Sequence, residues 1–152
     1  MSIWWSLHLR REAASVPLAR RLLLGTMETA GVDPDVSYEL SVALTEACAN
    51  AVEHGGAGGS RGPGGAPSEA YRVTAYLDGE TCRIEVADSG PGFPGCAVPA
   101  VPSDEAEHGR GMRLIEELAD HVQFGNRSGL GGAVVSFDKI LKWRDSPSLL
   151  LA

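Results

Sequence analysis

The chain has 152 residues, enough for one domain with its own core and too few for two comfortable ones. Thirteen basic against twenty acidic residues leave a net charge of −7, which argues against a nucleic-acid partner, whose affinity would rest on neutralising phosphates with Lys and Arg. A single nucleotide is not excluded, because backbone N–H groups and a metal ion can hold one without net positive charge.

Cys48, Cys82 and Cys96 show no metal-binding or disulfide spacing, so reduced thiols are expected. The apolar start from Ile3 to Leu9 is interrupted by Ser6 and His8 and lacks a basic beginning, so it is not a secretory signal. No apolar run approaches the ~20 residues of a membrane span. A soluble, cytoplasmic protein with no membrane association is the expectation.

Ile3, Trp5, Leu7 and Leu9 alternate with polar neighbours and predict a first strand. A helix is predicted from about Ser15, with Val16, Ala19, Leu23 and Met27 on one face and Gly31 as its stop. Asp33-Pro34 then reads as an N-cap with proline at the first helical position. The second helix runs to about Glu53 and buries Val36, Leu40, Ala43 or Leu44, Ala47 and Ala51. Residues 55–68 are too glycine-rich to pack, and a mobile loop is expected there.

Tyr71, Val73, Ala75 and Leu77 form one face of a strand, Asp78-Gly79 marks a hairpin, and Cys82, Ile84 and Val86 form the matching face. Residues 89–107 are rich in Pro and Gly and carry no periodicity. A third helix is predicted from near Gly111, using Met112, Ile115, Leu118 and Ala119. Val122 with Phe124, then Ala133 to Phe137, predict the last two strands. The tail 143–152 contains Pro147 and is expected to be loosely held. The order β-α-α-β-β-α-β-β implies an α+β two-layer sandwich, with helices on one face of a mostly antiparallel, mixed sheet. Strict β-α alternation is missing, which argues against a Rossmann fold.

Glu46, Asn50 and His54 stand at i, i+4 and i+8 on the second helix and share a face. Taken alone, such spacing is most often a solvated stripe. Asn is nonetheless a poor mid-helix residue, and among Ala47, Ala49 and Ala51 its amide would need a task. One such task is to enter the oxygen shell of Mg²⁺, with a nearby Glu accepting a proton. Asp88 ends a strand and begins DSGPG; the segment reads equally as a routine turn and as an acceptor for an exocyclic amine, with Gly90 and Gly92 passing close to a flat ring. Gly109-Arg110-Gly111-Met112 leads into a helix. A glycine pair there could expose N–H groups to phosphate or act as a hinge, and Arg110 could reach a terminal phosphate.

All three features occur in one order, and together they resemble the Bergerat (GHKL) ATP-binding fold of gyrase, histidine kinases and mismatch-repair ATPases. TEACANAVEHG resembles its N box, VADSGPGF its G1 box and HGRGMRLIEELAD its G2 box, while GGAVVSF is similar to its closing strand. Within that superfamily the pattern resembles the anti-sigma-factor serine kinases of the RsbW/SpoIIAB type, which have Glu, Asn and His at the spacing of Glu46, Asn50 and His54.

The resemblance implies a single histidine-kinase-like ATPase domain over residues 1–142, with residues 93–108 as the ATP lid. It implies Glu46 as the base that activates a substrate serine and Asn50 as the Mg²⁺ ligand. His54 would join the nucleotide site and Asp88 would bind the adenine amine. Gly90 and Gly92 would shape the adenine pocket, with Gly109, Arg110, Gly111 and Met112 on the phosphates. The implied function is an ATP-dependent serine kinase that binds a sigma factor and phosphorylates an anti-anti-sigma antagonist of the STAS type. A nucleotide-gated binding regulator without chemistry is the alternative. Trp4 stands on the face of the first strand opposite Ile3 and Trp5, and family members pair through this region, so a homodimer is expected. A histidine kinase catalytic domain fits less well, because such domains typically carry Asn at the position of Glu46.

Overall fold

The computed structural model describes residues 2–54, 70–88, 103–126 and 133–144. Strand β1 (Ile3–Arg10) leads through one 3-10 turn (Ala13–Ser15) to helices α1 (Val16–Ala30) and α2 (Pro34–His54). Strands β2 (Ala70–Leu77) and β3 (Thr81–Asp88), helix α3 (Ser103–Leu118) and strands β4 (His121–Asn126) and β5 (Ala133–Ile140) follow. The sheet is 5-stranded in the order β1-β2-β3-β5-β4. Every pairing in it is antiparallel, so the mixed character allowed by the sequence pattern does not occur among the described strands.

The two-residue period of the strands decides which face meets the helices. Tyr71, Val73, Ala75 and Leu77 of β2, Cys82, Ile84 and Val86 of β3, and Val135 and Phe137 of β5 are buried. They form one cluster with Val16, Ala19, Leu23 and Met27 of α1 and Val36, Leu40, Ala43, Leu44, Ala47 and Ala51 of α2. The other face of the first two strands points away from the helices. There Trp4, paired with Tyr76 across β1 and β2, is 65% exposed.

The predicted helix boundaries have visible causes. Gly31 takes φ 90°, and its N–H donates to the Glu28 carbonyl while that of Val32 donates to the Met27 carbonyl. This is a Schellman stop, closed by two buried residues, Met27 and Val32. Asp33 caps α2, since its Oδ1 accepts from the Asp35 N–H at 2.8 Å and Pro34 occupies the first turn, where no donor is needed. At the β2–β3 hairpin Asp78 makes the turn, its Oδ1 accepting from the N–H groups of Glu80 and Thr81. Gly79 keeps a negative φ, so its left-handed freedom goes unused.

Two predictions shift. The third helix starts at Ser103, not near Gly111. Ser103 followed by Asp104, Glu105, Ala106 and Glu107 is a sound helix start in its own right, with acidic residues where the helix dipole favours them. Of the tail 143–152 only residues 143 and 144 are described, and both are tied to the end of α1. Trp143 bridges to Val32, and Arg144 donates to the carbonyls of Gly31 and Glu28. Residues 55–69 and 89–102, which include the predicted glycine-rich loop, lie outside the described residues, as does Cys96.

Cys48 and Cys82 are free and buried. Burial pushes each thiol up from 9.0 to about 12; Tyr71 opposes this at Cys48, and the Asp138 and Asp78 carboxylates add to it at Cys82. Above about pH 9 the unfolded chain therefore loses two protons that the folded chain keeps, and stability falls as pH rises towards 12. Urea unfolding at steps between about pH 8 and 11 should show this decline. Its slope should be shallower by about one proton in Cys82→Ala, and equal slopes for the two proteins would show that the thiol ionises in the folded state.

Candidate functional site

Helix α2 buries Val36, Leu40, Ala43, Leu44, Ala47, Cys48 and Ala51 in the core and turns a flank towards α3. Glu46 and Asn50 lie on that flank one turn apart, both half-buried. Position 111 of α3 stands directly against Glu46: a Cβ placed there would come within 3.1 Å of Glu46 Oε1. A side chain at 111 would make the Glu46 carboxylate give way by a few tenths of an ångström. His54 is the last residue of α2, and its side chain lies outside the described ones.

Asp88 ends β3 on the buried side of the sheet and is 6% exposed. Its Oδ1 accepts from the Ala133 N–H at 3.2 Å. The preceding pair in the β3–β5 ladder is Ala87 with Val134, so the Asp88 carboxylate extends that ladder by one step. The charged end of the strand is thereby held by backbone geometry at both strands.

The remaining predicted positions divide in two. Gly90 and Gly92 lie outside the described residues. Gly109 and Arg110 fall inside α3, where only the backbone is described, and Met112 is half-buried against the core. Because α3 begins at Ser103, the N–H groups of 109–111 belong to its internal ladder and not to its free first turn.

Hard oxygen donors suit Mg²⁺, which commonly takes few protein ligands and completes its shell with phosphates and water. Among the described residues no three His, Cys, Asp or Glu cluster as a metal cage. An Asn50 amide oxygen one turn from Glu46 fits a shared, nucleotide-completed site better than a stand-alone one.

The sequence pattern places Tyr71 on the buried strand face but assigns it no role. In the β2–β3 register Tyr71 stands opposite Asp88, so their side chains are cross-strand neighbours on one face. The Tyr71 hydroxyl lies 2.7 Å from Ser15 Oγ, and Cys48 of α2 is a neighbour. Burial raises its pKa well above the ordinary tyrosine value, the neighbouring Cys48 adding to the effect. Arg11, likewise without a role in the sequence pattern, donates from Nη1 to the Val52 carbonyl in the last turn of α2 at 2.9 Å. A tyrosine in an otherwise apolar strand face is the available signal, because its buried hydroxyl needs a partner.

The family pattern of the histidine kinase-like ATPase domain matches residues 9–139, most of the chain. Serine-protein kinase RsbW of Bacillus pumilus (strain SAFR-032) is 32% identical over 132 residues, covering 80% of this chain and 78% of its own length. Serine-protein kinase RsbW of Bacillus subtilis (strain 168) is 29% identical over 131 residues, with the same two coverages. Among solved structures, the RsbU and RsbW domains of a Mycobacterium tuberculosis protein share the fold with a TM-score of 0.60 at 20% identity. That match covers 91% of this chain and spans 33% of the other. The SiaB-SiaC complex from Pseudomonas aeruginosa matches with a TM-score of 0.53 at 11% identity, over 90% of this chain and 89% of the other. No described helix is long and apolar enough to cross a membrane. The chain belongs to the histidine kinase-like ATPase domain family, and within it to the group of the RsbW serine-protein kinases.

Proposed function

We propose that this chain is a Mg²⁺-dependent serine-protein kinase and anti-sigma factor, which sequesters a sigma factor and uses ATP to phosphorylate a STAS-type antagonist. The observation that carries the reading is the Glu46 carboxylate lying against Gly111 between α2 and α3, with Asn50 one turn further along. A carboxylate at that place can take the proton of a serine hydroxyl as its oxygen attacks the γ-phosphorus. The bond from that phosphorus to the β,γ-bridging oxygen breaks, and ADP leaves. Little covalent chemistry falls to the protein, so the residues act by positioning and by charge.

In this reading Asp88 accepts the adenine amine, Gly90 and Gly92 border the ring, and Asn50 offers its amide oxygen to Mg²⁺, which would screen the phosphate charge. His54 stands at the phosphate end of α2. Gly109, Arg110, Gly111 and Met112 serve the phosphates from α3. For their amides to do so, the helix has to begin at 109, so nucleotide binding and the unwinding of residues 103–108 are one event. The RsbW relatives are named as serine-protein kinases, and the Glu at 46 supports chemistry over mere nucleotide-gated binding.

Pairing of two copies through β1 belongs to the same proposal. It is supported by Trp4 lying exposed beside Tyr76 on the first two strands of the sheet, with β1 at its edge. Sedimentation at micromolar concentration should give a dimer that Trp4→Glu converts to monomer; a monomeric wild type would end the idea.

Glu46→Gln should keep ATP affinity within a few-fold and cut single-turnover phosphate transfer to the antagonist by about 10²-fold or more. Transfer at the wild-type rate would remove Glu46 as the base, and a wild type that binds ATP without transfer would leave the gated regulator. Asp88→Asn replaces one carboxylate oxygen with a donor facing a donor. ATP affinity should then fall by about 1–3 kcal/mol in a competition titration, and an unchanged affinity would remove the adenine contact.

A further inference from the structure

Two contacts define how α2 and α3 lie together. At one, Lys139 Nζ donates to the Leu118 carbonyl at 2.8 Å and pairs with Glu39 Oε1 at 3.1 Å. At the other, position 111 faces Glu46, where an added Cβ would come within 3.1 Å of Oε1. The step from 39 to 46 on α2 is seven residues, and so is the step from 118 back to 111 on α3. Seven residues make two helical turns to within about 20°, a rise of about 10 Å. The two helices therefore run antiparallel, and both contacts fall on one seam. Fixing 39 abreast of 118 fixes 46 abreast of 111.

The apolar part of the seam does not set this register. On α3 it consists of buried Ile115, with Met112 and Leu118 packed against the core. Apolar burial is non-directional, so it holds the helices together with little regard to their axial offset. An offset of one residue would carry Gly111 about 1.5 Å past Glu46.

Lys139 supplies the missing direction. It shares the helix-facing side of β5 with Val135 and Phe137, and its side chain is mostly buried. The Leu118 carbonyl is one of those that a helix end leaves without an internal partner. A charge-assisted contact on each side, sent from a strand paired with β3, ties both helices to the sheet at one height. The clamp acts at the last residue of α3, so it persists whether that helix begins at 103 or at 109.

We propose that Lys139 is a positioning residue: its ammonium holds Glu39 and Leu118 abreast, and so sets the α2–α3 register that puts Glu46 opposite Gly111. The inference rests on the nucleotide-binding reading above, in which a polyphosphate reaches from Asn50 on α2 to the 109–111 amides on α3. It differs from a general stabilising role in what it demands of ligands. A ligand held only at the Asp88 end should not sense the register, whereas one held by both helices should.

Adenosine and MgATP, each displacing a fluorescent ADP analogue, separate the two cases. In Lys139→Met, which keeps the stem and removes the ammonium, MgATP affinity should fall 5-fold or more while adenosine affinity stays within about twofold. Glu39→Ala cuts the same link on the α2 side and should shift the ratio in the same direction. Lys139→Arg keeps a charged donor for both partners and should restore most of the wild-type ratio. If Lys139→Met is too unstable to titrate, Glu39→Ala and Lys139→Arg give the answer alone. A wild-type ratio in Lys139→Met or Glu39→Ala, equal losses for both ligands, or a failure of arginine to rescue would overturn the positioning role. A wild type that binds neither ligand would overturn the nucleotide reading itself, a result distinct from any of these.

Discussion

Contact between α2 and the sheet through small side chains is the constraint from which the rest of this structure follows. Ala43, Ala47 and Ala51 are buried with Leu40 and Leu44 in the cluster that α2 shares with β2 and β3, and small residues there let a helix approach a sheet closely. Larger residues at those three positions would lift the helix and separate Glu46 and Asn50 from Asp88. The same closeness leaves the polar pair half-buried, in surroundings where electrostatic interactions are stronger than in water. A flank facing a second helix, with glycine at the facing position, keeps the carboxylate from being smothered.

The anchoring at the other end of the helical layer is of a different kind. Lys139 of β5 donates to the Leu118 carbonyl at 2.8 Å, at the C-terminal end of α3, and pairs with Glu39 of α2 at 3.1 Å. With its side chain 16% exposed, this ammonium meets both a helix C-terminus and a carboxylate, two partners that favour positive charge. It joins α2, α3 and β5 at the end of α3 remote from Ser103. Helix α3 is thus fastened by its last turn, with Ile115 buried beneath it.

Much of this was legible in the sequence, for reasons that can be named. The apolar periods of 2 and 3.6 residues are local, and so are the stops at Gly31 and the start at Asp33-Pro34. Every strand and the first two helices accordingly fall where the pattern puts them. The strand order was only partly legible, because the pairing of β3 with β5 joins segments separated by α3 and β4. The Glu46–Gly111 contact was not legible as a contact at all. Its two members are far apart in sequence, and each looks ordinary alone. Tyr71 is hidden for a different reason: its burial is legible in the strand period, but its hydroxyl's partner, Ser15, lies 56 residues away in sequence.

The start of α3 is ambiguous in the sequence, which contains two competing helix starts. Ser103 with Asp104, Glu105 and Glu107 offers the helix end its own anions, each worth about 0.3–1 kcal/mol against the helix dipole. Gly109 and Gly111 oppose a continuous helix, each costing about 1 kcal/mol in a helix interior. These terms act in opposite directions on the longer helix. Phosphate at the N–H groups of 109–111 would supply the anion that the acidic residues otherwise provide. On the proposed reading, an acidic chain with a net charge of −7 would then hold a polyanion without a basic patch, the charge at the helix end being exchanged and not added. Both glycines weaken the long helix, and position 111 faces the Glu46 carboxylate.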